Sequence, residues 1–307
     1  MQHKPFKTID EQIELLQDEK NLIIDDEKEA TFCLENLNYY RLSGYSLTMR
    51  KNDKFYKGSK FSDIMQIYNF DRELKLCILR YLEEIEIAPR THIAYELGKQ
   101  DVNPQSTVSY LKPENYISEA HFDKFSSDIS KEIQNNREEA FVKHHNRKYN
   151  GVLPAWAMVE TLSFGKASTL FSSLNAELKK EICTTYYHNI RYTAVENLLE
   201  GLVVLRNICA HHARLYNRGI TVKPDFAKWE IDYLCNQNYE RGQIGSKLFF
   251  RILVIIRLSP DPLIIDTIIS DICALQKKYP FVNLKHYGFQ PNWKEILTTM
   301  NEKYKQS

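Results

Sequence analysis

Glycine and proline are scarce in this chain, ten of each among 307 residues, against average usage of about 7% and 5%. Sandwiches and barrels need turn residues at every reversal, so this scarcity argues against an all-β fold and for long helices. Cysteine is sparse as well. The six (Cys33, Cys77, Cys183, Cys209, Cys235 and Cys273) contain no CxxC pair, so neither a zinc ribbon nor a dithiol redox motif is present. Scattered thiols of this kind predict a reduced compartment with no structural disulfide. No long hydrophobic run occurs. The best, Leu248 to Leu258, carries Arg251 and Arg257 and reaches about half the ~20 residues a membrane span needs. Neither charge sign dominates: 41 Lys and Arg face 40 Asp and Glu, a net +1, which excludes a wholesale polybasic coat for nucleic acid. No P-loop, G-x-G-x-x-G or G-x-S-x-G is found, so nucleotide kinases, dinucleotide-binding enzymes and α/β-hydrolases lack support. Met1 to Asp10 is polar and basic, unlike a secretion signal, and predicts a soluble, cytoplasmic protein without a membrane partner.

What is present is helical periodicity. Thr8 with Glu11 reads as a capping box before Ile13, Leu15 and Leu16. A segment from about Asp26 carries Phe32, Leu34, Leu37 and Tyr40 at helical spacing and stops at Gly44. Residues 50–60 predict a loop or small hairpin. Phe61 to Leu97 is the longest periodic stretch, expected to break or kink near Pro89. Residues 99–115 predict a loop, Ser118 to Tyr149 a charged helix, and Ala155 to Leu174 an apolar one with a Phe164-Gly165 step within it. Further helical patterns cover 177–188, 193–216, 225–235, 244–258 and 262–279, and a last helix begins at Pro291-Asn292-Trp293. The expectation is one all-α domain over 1–307, with a soft subdivision into 1–150 and 151–307.

The densest run of chemically able side chains is Arg206-Asn207-Ile208-Cys209-Ala210-His211-His212-Ala213-Arg214. On one helix from Thr193 to Arg218, Leu198, Leu202, Leu205 and Cys209 fall within about 60° and form a buried stripe. Asn207, His211, Arg214 and Arg218 fall within about 60° of each other on the opposite face. Such a row suits attack on a phosphodiester. A histidine titrating near 6.5 takes or gives a proton at neutral pH, and an arginine fork matches phosphate oxygens. In RNA the 2′-hydroxyl is a built-in nucleophile, so no metal or other cofactor is required. A solvated helix face produces the same polar row, so spacing alone leaves both alternatives open.

Arg206-Asn207-x-x-x-His211 resembles the R-x(4–6)-H signature of HEPN ribonucleases. Four further stretches resemble Abi-like proteins of the AbiD/AbiF type: Lys4-Pro5-Phe6 with the following acidic helix; Asn38-Tyr39-Tyr40-Arg41-Leu42-Ser43-Gly44-Tyr45; Tyr68-x-Phe70-Asp71-Arg72-Glu73-Leu74; and Glu84-Ile85-Glu86-Ile87-Ala88-x-Arg90-Thr91. Leu153-Pro154-Ala155-Trp156, Leu162-Ser163-Phe164-Gly165 and Tyr287-Gly288-Phe289 before Trp293 extend the likeness to about residues 4–295. The resemblance implies a HEPN-like helical bundle with added N- and C-terminal helices, in a bacterial antiphage protein acting by abortive infection. It implies Arg206 and His211 as catalytic pair, Asn207 as their polar neighbour, and His212 and Arg214 as auxiliaries. With one clear motif per chain, a homodimer would be needed to complete the site. RNA is the implied partner, as substrate and as a noncoding regulator.

Other residues are weighed as RNA contacts: Arg218; the cluster Lys143, His144, Arg147 and Lys148; and Tyr40 with Arg41, which either clamp RNA or close a helix end on the core. Arg137 and His144 also fit R-x(4–6)-H, as a degenerate second motif. His144-His145 and His211-His212 lack the i, i+4 spacing of a zinc helix, which argues against a metal site. The competing readings are a metal-independent endoribonuclease leaving 2′,3′-cyclic phosphate and 5′-hydroxyl ends, and a module that grips RNA without cutting it.

Overall fold

The computed structural model describes residues 5–101 and 108–306. Lys4 of the N-terminal resemblance and residues 102–107 of the expected loop lie outside them. The described chain is all-α apart from one two-stranded hairpin. Helices α1 (Ile9–Glu14), α2 (Glu27–Leu37) and α3 (Tyr39–Ser43) come first, then β1 (Arg50–Lys51) and β2 (Lys54–Phe55), then α4 (Phe61–Gly98). The middle of the chain holds α5 (Glu119–Asn135), α6 (Ala140–Lys148), α7 (Ala155–Met158), α8 (Phe164–Ser173), α9 (Ala176–Tyr186) and α10 (Tyr192–Ala210). Helices α11 (Lys228–Asn236), α12 (Leu248–Leu258), α13 (Ile264–Lys278) and α14 (Trp293–Gln306) complete it. No described helix is long and apolar enough to cross a membrane.

Local chemistry sets the helix ends. The Thr8–Glu11 capping box forms in both directions. Asp26 caps α2 by accepting from Glu29 N at 2.9 Å. The expected run to Gly44 is interrupted, because Asn38 takes φ +65°, ends α2, and caps α3 by accepting from Tyr40 N at 2.8 Å. Pro89 does not break α4. It removes one N–H from the ladder, but Leu82, Ile85, Ile93 and Leu97 are all buried on either side, and that burial holds the helix through it. The expected 118–149 helix is two helices, since the Asn136 side chain donates to the Glu132 carbonyl and closes α5. The expected 155–174 helix divides at Leu162, which is extended, and Ser163, which caps α8 through Lys166 N.

Two compact units arise from discontinuous segments: Met1–Ile78, Ile208–Arg218 and Asp266–Phe289 in the first, Leu79–Asn207, Gly219–Ile265 and Gln290–Ser307 in the second. The first unit centres on aromatics. Tyr45, Tyr216, Tyr287 and Phe70 are buried and meet ring to ring at 5.5–6.4 Å. The second centres on α12, whose Phe249, Ile252, Leu253 and Ile255 are fully buried, with Phe164, Phe171, Leu202 and Leu205 of its other helices equally enclosed.

Candidate functional site

Helix α10 buries Leu198, Leu202, Leu205 and Cys209 as the periodicity requires. It does not extend to Arg218. It stops at Ala210 in a Schellman motif: His212 N–H donates to the Cys209 carbonyl at 3.1 Å and Ala213 N–H to Ile208 at 2.9 Å. His212 occupies the left-handed position at φ +54°, which glycine usually fills and histidine tolerates better than most residues. The face expected to carry Asn207, His211, Arg214 and Arg218 in one row is therefore cut. Asn207 stays on the helix, His211 sits at its C-terminal cap, and Arg214 and Arg218 belong to the following turn.

In the second unit, Arg206 is half-buried and held as a fork by Glu86 of α4. Its Nε donates to Oε2 at 3.2 Å and its NH2 to Oε1 at 3.0 Å, while NH1 donates to Asn207 Oδ1 at 3.2 Å. Glu86 also pairs with Arg90 at 3.5 Å. Planar bidentate pairing of this kind fixes a guanidinium in direction as well as place. The guanidinium edge that would grip a phosphate is here occupied by a carboxylate.

In the first unit, His211 and His212 are exposed, and the turn beyond them is pinned from below. Arg41 donates to the His212 carbonyl, and Lys75 Nζ to the Ala213 carbonyl at 3.1 Å. Asp71, with no exposed surface, gathers five donors. These are Tyr216 N at 2.7 Å, Leu215 N at 3.2 Å, the hydroxyls of Tyr45 and Tyr287 at 3.0 Å each, and Lys75 Nζ at 3.1 Å. Burial, reinforced by the Asp71 charge, drives the Tyr45 and Tyr287 hydroxyls well above the usual phenol range, so both donate at all working pH. Cys209 is buried beneath the turn, and burial pushes its thiol up to about 12. It remains protonated at neutral pH and is no nucleophile.

The other expected residues divide between the units. Tyr40 and Arg41 are exposed on α3 and line one groove with His211 and His212. Of the neighbouring aromatics, Tyr45 instead goes to the core. Arg214 is half-buried, lies 3.1 Å from where a Cβ on Gly44 would stand, and donates to the Tyr216 carbonyl. Arg218 is exposed, with NH1 3.5 Å from the Arg214 carbonyl. Lys143, His144, Arg147 and Lys148 form a separate exposed face on α6 in the second unit. There Glu138 pairs with Lys143 at 2.8 Å and with Arg137 at 3.6 Å. Among the described residues no group of three or more His, Cys, Asp or Glu could hold a metal ion.

Sequence reasoning passed over Asp71 and Lys75 as site residues, although one of the quoted family stretches contains Asp71. Glu86, read with Glu83 and Glu84 as an ion-pair or surface residue, does form ion pairs, with Arg206 and Arg90. A buried-face position carrying a charge, as Asp71 and Lys75 do at i, i+4 on α4, is the signal that was there to read.

No curated protein and no solved structure matches this chain. The Abi-like protein family does, over residues 32–217. That span runs from α2 to the turn beyond α10 and so contains Tyr40, Arg41, Asp71, Glu86, Arg206 and His211. The chain belongs to the Abi-like protein family.

Proposed function

We propose that this Abi-like protein is a metal-independent endoribonuclease of HEPN type, of the AbiD/AbiF kind, that arrests growth during phage infection. The observation that carries the reading is the exposure of His211 at the cap of α10, five residues after an Arg206 whose orientation Glu86 and Asn207 fix. His211 takes the proton of the ribose 2′-hydroxyl as that oxygen attacks the adjacent phosphorus, or returns a proton to the departing 5′-oxygen. The products are a 2′,3′-cyclic phosphate and a 5′-hydroxyl, with the P–O5′ bond broken and no cofactor consumed. Arg206 holds the scissile phosphate and stabilises its added charge, exchanging Glu86 for the phosphate as its anionic partner. Two chains in a homodimer would bring two Arg206/His211 pairs to one site.

Induced expression of the wild-type chain beside His211→Ala, with total RNA sequenced at its 5′-hydroxyl ends, tests this. The expected result is growth arrest and new ends from the wild type alone. Equal toxicity from both, without new ends, would favour RNA binding without cutting.

A further inference from the structure

The first unit carries a groove of about 910 Å³ alongside the His211–His212 turn. Asn38, Tyr40, Arg41 and Arg72 line it with the two histidines, and no carboxylate does so among the described residues. In a chain with 40 Asp and Glu, an acid-free wall of that size is a local selection for anions. Its cations differ in what they can offer. The Lys75 ammonium is committed to Asp71 and the Ala213 carbonyl. Arg41 gives one amino group to the His212 carbonyl and lines the groove. Arg72 is exposed. Tyr40, one residue before Arg41, leaves 86% of its surface in solvent. Asn38 turns it outward by breaking the chain at φ +65° and capping α3 through Tyr40 N.

We propose that this groove binds single-stranded RNA, with Arg41 and Arg72 on successive phosphates and Tyr40 stacked on an unpaired base beside His211. The proposal rests on the ribonuclease reading of the same turn and names its substrate class. The volume is that of a site for a ligand of drug size, enough for a strand's local segment and far short of a duplex. A tyrosine face accepts any base, but only one that is not already paired and stacked within a helix. The groove thus selects unpaired RNA with little demand on sequence.

The test uses the full chain carrying His211→Ala, so that bound RNA is not cut. Fluorescence anisotropy follows a short labelled single-stranded RNA and its duplex across a salt series, with Tyr40→Ala, Tyr40→Phe and Arg72→Gln added in turn. Both positions are exposed, so unchanged thermal melting is expected of all three. Tyr40→Ala should weaken single-strand binding about tenfold, within the range of one lost stack, with the salt slope unchanged. Tyr40→Phe should restore it. Arg72→Gln should weaken binding and lower the slope by about 0.7, one phosphate contact fewer on a single strand. Equal affinity for the duplex, or parent-like binding by Tyr40→Ala and Arg72→Gln, would overturn the proposal.

Cleavage by chains with His211 intact separates this from the parent reading. If those chains make 5′-hydroxyl ends and the groove variants cut equally well at low RNA, the groove assignment fails and the ribonuclease stands. If groove variants lose binding while the unsubstituted chain makes no such ends, the groove stands and the cutting fails.

Discussion

Each unit buries a charge without exposing any of it, and the two are handled in opposite ways. In the first, Asp71 is met by five donors, two backbone amides, two phenols and an ammonium, all at 2.7–3.2 Å. In the second, Arg251 on α12 is equally enclosed, yet Nε and both amino groups lack an acceptor. It packs instead on Gly201 of α10, where a Cβ would stand 3.6 Å from its Nε. The same unit manages Glu230 in the first manner, with Arg257, Tyr304 and the Ala227 amide all donating to it. A buried charge with a full set of partners fixes geometry, because every partner is held to one place. Asp71 does this for the turn after His211. A buried charge without partners only opposes folding. The lesson is that Asp71 is built to hold the turn after His211, whereas Arg251 is a burden that the packing of α12 overrides.

The largest effect follows from removing the hub. Asp71→Ala leaves Lys75 buried and four neutral donors without an acceptor, and should cost about 3–5 kcal/mol. Urea unfolding measures it, and a loss below about 1 kcal/mol would mean that the turn is held by packing alone. Next, Arg251→Met keeps an unbranched, flexible stem while removing the charge and the guanidinium, and should stabilise by about 1–3 kcal/mol, the penalty of an unsatisfied buried polar group. A loss of stability instead would show that the guanidinium finds an acceptor in solution and that the contrast is false. Smaller again, Tyr45→Phe and Tyr287→Phe each remove one of five donors and should cost about 1–2 kcal/mol. Because both act on one carboxylate, the double variant should depart from additivity, which the double-mutant cycle reads directly.

The contrast also explains what the sequence could and could not reveal. Helices built on apolar periodicity and on short-range caps, such as Thr8 with Glu11 or the stripe Leu198, Leu202, Leu205 and Cys209, are local facts, and they were legible. The end of α10 was not, because the residue in the left-handed cap position is His212 rather than glycine. With no glycine to mark the stop, the periodic reading ran on to Arg218 and placed His211, Arg214 and Arg218 in one row. At Pro89 the expected break did not occur, since a local helix breaker lost to burial on both sides. Asp71 was beyond reach for a different reason. Its partners lie 26, 144, 145 and 216 residues away in sequence, and only Lys75 is near. Of the exposed groove residues, Tyr40, Arg41, His211 and His212 were singled out by residue type and family resemblance, and Arg72 was not. The residues that position them were not, because positioning is done here by contacts the fold alone creates.

A half-buried ionisable group, handled in a third way, sharpens the comparison most finely. His92 of α4 stacks flat on Tyr186, with ring centroids 4.0 Å apart and planes 6° apart, and its Nδ1 lies 3.3 Å from the Tyr187 hydroxyl. Burial lowers its pKa to about 4, against the opposing pull of the Glu96 carboxylate. Unlike Arg251, whose pKa falls only to about 10 and which therefore stays charged at neutral pH, His92 escapes the burden by giving up its proton. The unfolded chain binds that proton near pH 6.5 and the folded chain only near pH 4. Between those values the unfolded state holds more protons, so stability should fall as the pH drops through that window and be unaffected above it. Carboxylates titrate there too, so the readout is the difference between the parent and His92→Phe, which keeps a ring on Tyr186 and removes the titration. Denaturation midpoints at pH 7 and pH 5 should converge, or cross in favour of the variant, at the lower pH. Parallel shifts would mean that His92 is solvated enough to accept a proton in the folded chain.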